Sequence, residues 1–157
     1  MTQNFPIFEA LKRHGVPFVI IGGHAVNFHG HTRLTEDTDV VWLRSADSEI
    51  ALGQALSEIR AQYIGDDIDP VTKIERTYPV THSFIQTHAL MMLCTDLGFL
   101  DLFAYVPGFP EANVQEFFDQ SVEAGGFRYA SISWLRKMKA AAGRNKDMDD
   151  LRNLPLG

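Results

Sequence analysis

Apolar residues fall along this chain in short blocks whose spacing switches between a helical and an extended repeat. Phe5, Ile7, Phe8 and Leu11 form a stripe near the helical period between Phe5 and His14, and Gly15 stops it. The β-branched run Phe18-Val19-Ile20-Ile21, placed after Pro17 and before Gly22-Gly23, predicts a buried strand. His24 to His29 leaves room for only a short helix before Gly30, and Thr38 to Leu43 predicts the next strand around Val40, Val41 and Trp42. Ser45 is placed to cap a helix reaching about Gln62, with Ile50, Leu52, Ala55, Leu56 and Ile59 on its buried side. Residues 64–80 carry Asp66, Asp67, Asp69 and Pro70 and read as a polar loop. Ala89 to Thr95 and Phe99 to Val106, separated by Asp96-Leu97-Gly98, give a hairpin signal, and a second hairpin turns at Gly125-Gly126. Ser133 to Ala142 and Lys146 to Leu154 are helical stretches broken at Gly143.

This order of elements predicts an α+β (α/β) chain: a small mixed β-sheet with flanking helices. No repeat, low-complexity tract or linker divides the 157 residues, which fit one domain spanning 1–157 with the helices of 133–154 packed on it. Hydrophobic residues at 45% and charged residues at 22% are globular proportions and argue against disorder. The lone Cys94 cannot form an internal disulfide. The opening residues Met1 to Pro6 lack the basic and long apolar stretches of a secretory leader, and the longest wholly apolar run, Ala89 to Cys94, is far too short for a membrane span. A cytoplasmic protein without membrane contact is therefore expected. The net charge of −6 disfavours a general nucleic-acid coat. The charge is uneven, however: residues 136–152 hold six basic side chains against three acidic ones, a net +3 that leaves −9 elsewhere.

Candidate chemistry gathers at three places. Asp37 and Asp39 lie two apart at the start of a strand, so both carboxylates face one spot. Such a pair is either a solvated strand end or a cation site, and hard oxygen donors of this kind suit magnesium. Gly22-Gly23, between a strand and a helix start, is either a tight turn or a place where backbone amides approach a phosphate. It is not a P-loop, because no Lys-Ser/Thr follows the glycines. Asp101, set within Phe99-Leu100-Asp101-Leu102-Phe103, is costly to bury unless paired or metal-bound, and the alternative is an edge-strand carboxylate facing water.

Gly22-Gly23-His24-Ala25, then His29-Gly30, then Arg33-x-Thr35-x-Asp37-x-Asp39, resembles the signature of the nucleotidyltransferase superfamily, the polymerase-beta-like fold. The likeness is strongest to the small bacterial branch holding abortive-infection-type toxins and related uncharacterised proteins. Lys139-x-x-Ala142-Gly143-Arg144-x-Lys146-Asp147-x-x-Asp150 is similar to the ending of that branch. The matching stretches cover about half of the chain. Many members of the wider superfamily have Gly-Ser where this chain has Gly22-Gly23, which removes a hydroxyl contact to phosphate.

The resemblance implies a magnesium-dependent enzyme, with manganese as a substitute, that moves a nucleoside monophosphate from a nucleoside triphosphate such as ATP to a hydroxyl of RNA, tRNA included, or of protein. Asp37, Asp39 and Asp101 would be the catalytic metal ligands. Gly22, Gly23, Arg33, Lys139, Arg144 and Lys146 would meet the nucleotide or acceptor, with Asp147 and Asp150 orienting those bases. A toxin–antitoxin or defence setting with a cognate toxin or antitoxin is implied too. The alternative is an inactive nucleotide-sensing or protein-binding module of the same fold.

His24, His29 and His31 do not have the spacing of a zinc motif. His29 is expected to be structural and His24 to be phosphate-side or exposed. His82 and His88 are expected at the surface. Phe117-Phe118 and Met91-Met92 are expected in the core, and Trp134 in helix packing. The bland reading of the basic ending is an amphipathic helix with a solvated charged face.

Overall fold

The computed structural model describes residues 5–156; Met1 to Asn4, most of the segment read above for a leader, lie outside them. Among the described residues the chain runs α1 (Pro6–Arg13), β1 (Phe18–Ile21), α2 (Gly22–Phe28), β2 (Thr38–Trp42), α3 (Ala46–Glu58), β3 (Gln62–Ile68), β4 (Glu75–Pro79), α4 (His82–Thr87), β5 (Leu90–Thr95), β6 (Gly98–Phe103), α5 (Val114–Asp119), β7 (Val122–Ala124), β8 (Phe127–Tyr129), α6 (Ile132–Ala142) and α7 (Asn145–Asn153). The eight strands form one mixed sheet in the order β4-β3-β5-β6-β2-β1-β8-β7. The expected α+β architecture holds.

The centre of the sheet is its most apolar part. Every residue of β1 is buried, as are Val40, Val41 and Trp42 of β2, so these strands are covered on both faces. The flanking strands β5 and β6 alternate instead: Met91, Leu93, Leu100 and Leu102 are buried, whereas Met92 and Phe99 are exposed. A period of two means that one face of this hairpin is packed and the other left open. Met92 thus departs from the expected core pair, because its neighbour Met91 takes the only inward position. Phe117 is buried and Phe118 packs on the core from its edge.

Helix limits follow local chemistry. Ser45 and Ser48 cap α3 reciprocally, each side chain serving the other's backbone N–H. The helix ends at Glu58, earlier than its sequence suggests, and Ile50 faces out while Leu52, Ala55 and Leu56 face in. Gly143 adopts φ +64° at the end of α6, allowing the sharp reversal into α7.

The expected polar loop at 64–80 is instead mostly the β3–β4 hairpin at the sheet's edge, turned where Asp69 accepts the N–H groups of Val71 and Thr72. Both faces of β4 meet water, so no alternating pattern marks it. Helices α4 and α5, six residues each, also lie beyond what periodicity shows; Thr81 and Asn113 cap them. No described helix is long and apolar enough to cross a membrane.

The open-face assignment predicts a contrast between adjacent methionines. Met91→Ala removes a fully buried side chain and is expected to cost about 2–5 kcal/mol in chemical denaturation. Met92→Ala is expected to stay within about 0.5 kcal/mol of the parent. Equal losses would refute the register.

Candidate active site

The site begins with the register of the central strands. Strand β2 pairs in parallel with β6, setting Asp39 directly beside Asp101, and antiparallel with β1, setting Asp39 opposite Ile21. Gly22 therefore begins α2 against the Asp39 carboxylate. It holds φ +65°, and a Cβ there would lie 2.5 Å from Asp39 Oδ2. Only glycine accepts both the backbone conformation and the close approach.

Asp39 and Asp101 lie within hydrogen-bonding reach of each other. Burial, then the charges of Asp101 and Asp37, push Asp39 up to about 7, against the opposing pull of Lys139. Burial raises Asp101 as well. The pair thus shares a proton near neutrality unless a cation takes its place. Asp37 stands apart: its carboxylate is 63% exposed at the rim, 4.0 Å from Lys146 Nζ.

Facing these acids is the α6–α7 corner. A cleft of about 200 Å³ brings Gly22, Asp37, Asp39 and Asp101 together with Lys139, Arg144, Lys146 and Asp147, its apolar walls including Phe103, Leu135 and Met138. Lys139 is buried, its ammonium 2.8 Å from Asp150 Oδ2 and 3.3 Å from Asp147 Oδ1. Arg144 Nε donates to Asp147 Oδ2 at 2.7 Å, and its backbone N–H donates to the same oxygen. Burial would raise Asp147 and Asp150, yet both are held below the ordinary carboxylate value: Asp147 by Arg144 and Lys139, Asp150 by Arg33 and Lys139. These ionised carboxylates fix the cations that edge the cleft.

Two expected nucleotide contacts lie elsewhere. Gly23 does not line the cleft; a Cβ on it would meet the Thr35 side chain at 2.5 Å, so it closes α2 onto the loop before β2. Arg33 turns away to make a bidentate pair with fully buried Asp150, at 2.8 and 3.0 Å. That pair ties the loop carrying Asp37 to α7.

His29 Nε2 lies 2.7 Å from the Ala130 carbonyl oxygen, a structural contact as expected. His24 packs edge-on against Phe5 and Phe8 rather than on the phosphate side, and burial, then Arg33, lowers its pKa. Trp134 packs against Phe109 and Phe117, and its ring N–H donates to Gln120.

A second group of metal-type donors, His31, Asp149 and Asp150, went unseen in the sequence because His31 lies more than a hundred positions from the others. Both Asp150 oxygens already accept hydrogen bonds or ion pairs from Arg33 and Lys139, which makes the group a poor cation site.

Comparison with solved structures gives the fold its class. The chain is similar to the aminoglycoside nucleotidyltransferase ANT(2'')-Ia in a crystal structure with adenylyl-2''-tobramycin, at 18% identity and TM-score 0.51, over 93% of this chain and 82% of that one. The solution structure of the same antibiotic-resistance factor aligns at 18% identity and TM-score 0.51, over 93% and 77%. JHP933 from Helicobacter pylori aligns at 19% identity and TM-score 0.47, over 92% of this chain and 61% of that one. No family profile matches the sequence, and neither does any curated protein. The chain has the nucleotidyltransferase fold.

The proton shared by Asp39 and Asp101 gives a pH test on metal-free protein. With its folded value raised, Asp39 contributes stability that is complete below its unfolded value of 3.8 and is lost as pH rises through about 7. In chelator, the melting temperature of Asp39→Asn relative to the parent is therefore expected to climb between pH 4 and 7 and level off above. A difference that stays flat across that window would contradict the pairing.

Proposed function

We propose that this chain is a nucleotidyltransferase, moving a nucleoside monophosphate from a nucleoside triphosphate to a hydroxyl of RNA, tRNA included, or of protein. The supporting observation is the set of acids carried by β2 and β6, facing three basic side chains across one cleft. Asp39 and Asp101, with Asp37 turned inward from the rim, would hold divalent cations, magnesium by the oxygen-only donor set and manganese as a substitute. The fit is chemical: neighbouring half-buried carboxylates repel until a proton or a cation lies between them. When bound, such cations neutralise the carboxylates and offset charge developing on phosphoryl oxygens.

The chain's own groups divide the remaining work. Arg144 and Lys146, half-exposed or more at the cleft edge, meet the triphosphate. Lys139, fixed from beneath by Asp147 and Asp150, adds a positive charge that cannot swing away. Gly22 lets the start of α2 come close to the phosphates without displacing Asp39. Asp101, less hemmed in than Asp39, is the carboxylate to take the acceptor's proton. Arg33 acts at one remove, holding the Asp37 loop through Asp150. The whole chain works as one unit, with α6 and α7 closing the cleft. The resemblance to the abortive-infection-type branch supports a cytoplasmic toxin–antitoxin or defence role with a cognate partner.

The reading predicts that Asp39→Asn and Asp101→Asn each lower incorporation of α-labelled nucleotide from NTP and magnesium by at least about 100-fold, with circular dichroism unchanged. Lys139→Met is expected to lose activity and also about 1–3 kcal/mol of stability, because Asp147 and Asp150 each lose one charged partner while Arg144 and Arg33 stay with them. Full activity in either Asp variant would refute the assignment.

A further inference from the structure

The acids form a wall between two hollows of opposite character. On one side lies the cationic cleft. On the other is an apolar hollow of about 270 Å³, bounded by Asp37, Thr38 and Asp101 and floored by Ile64, Met92, Leu93, Cys94 and Phe99. This is the open face of β3, β5 and β6: Met92 pairs with Asp101 and Cys94 with Phe99, so their side chains share its surface. Met92 is 61% and Phe99 63% exposed, a concentration of bare apolar side chains that marks an interaction site. The surface continues past Ile64 and Met92 into a groove of about 600 Å³ that includes Tyr63, Tyr78, Asp66 and Asp67.

Charge decides what this surface receives. Among the described residues no Lys or Arg lines either hollow; their charged groups are Asp37, Asp101, Asp66 and Asp67. Arg76 lies at the margin, 3.5 Å from Asp67. A nucleic-acid backbone needs a basic track, and single-strand sites add aromatic platforms to such a track rather than replace it. Here the platform lies among carboxylates. The two hollows share Ile64 and Met92, so an extended segment can run through both.

Resting on the transfer reading above, we propose that this open face is the acceptor site and that the acceptor is a polypeptide, seated by apolar side chains and presenting a Ser, Thr or Tyr hydroxyl to Asp101. The hydroxyl oxygen bonds to the α-phosphorus as the bond to the β-phosphate oxygen breaks. Pyrophosphate leaves, and the hydroxyl proton passes to Asp101.

The test offers purified protein, magnesium and α-labelled NTP two acceptor pools: random 12-residue peptides with one fixed Ser, Thr or Tyr, and random 12-nucleotide RNA with free hydroxyl ends. NTP turnover that disappears in Asp39→Asn reports on the transfer reading by itself. Peptide labelling is expected, falling at least tenfold in Phe99→Glu and in Met92→Glu, with NTP affinity in the cationic cleft within twofold of the parent. Both side chains are exposed, and melting curves check that the variants fold. Labelling of RNA alone, or peptide labelling indifferent to both substitutions, would overturn the acceptor site while leaving nucleotide transfer standing. NTP turnover without labelling of either pool would also overturn it. Absence of any Asp39-dependent turnover would refute the transfer reading, and the acceptor site with it.

Discussion

The structure turns on electrostatic repulsion that the sheet itself imposes. Parallel pairing of β2 with β6 fixes Asp39 beside Asp101, at a place where the surrounding strands are among the most apolar in the chain. Their Cα atoms cannot separate without breaking the ladder. The fold answers with one buried cation, Lys139, and with proton sharing that leaves Asp39 near 7. On the proposed reading, a divalent cation would relieve that repulsion, removing a penalty that folding has already incurred.

Lys139 is itself held by a second set of acids. Asp147 and Asp150 are wholly buried, and their partners come from three places: Arg33 from the loop before β2, Lys139 from α6, Arg144 from the turn between α6 and α7. Such networks are weak arguments for stability, since desolvation offsets much of their attraction. Their effect here is positional. Asp150 joins the loop carrying Asp37 to the helices carrying the cations, so the opposite walls of the cleft keep one spacing.

Much of this was legible in the sequence, for particular reasons. The Phe18–Ile21 and Val40–Trp42 runs are buried on both faces, and continuous apolar strands announce themselves. The Asp-x-Asp spacing puts two carboxylates on one face only within a strand, and β2 begins at Thr38, so Asp37 falls just outside it. Asp101 stands out because a carboxylate amid Phe and Leu needs a reason. The β3–β4 hairpin did not show, since a strand exposed on both faces leaves no periodic trace. Helices of six residues hide for want of length. Nor could spacing reveal that Arg33 turns to Asp150, 117 positions away, or that Asp37 lies exposed at the rim with Lys146 4.0 Å off. Those choices belong to tertiary packing.

On the proposed reading, the acids of β2 and β6, rather than the His31, Asp149 and Asp150 group, would hold the divalent cation. Electron paramagnetic resonance of Mn2+ titrated into the protein with NTP at pH 8 tests it most directly. A bound-manganese signal is expected that is lost in Asp39→Asn and in Asp101→Asn and kept in His31→Ala. Binding that survives both Asp substitutions and disappears with His31 would contradict it.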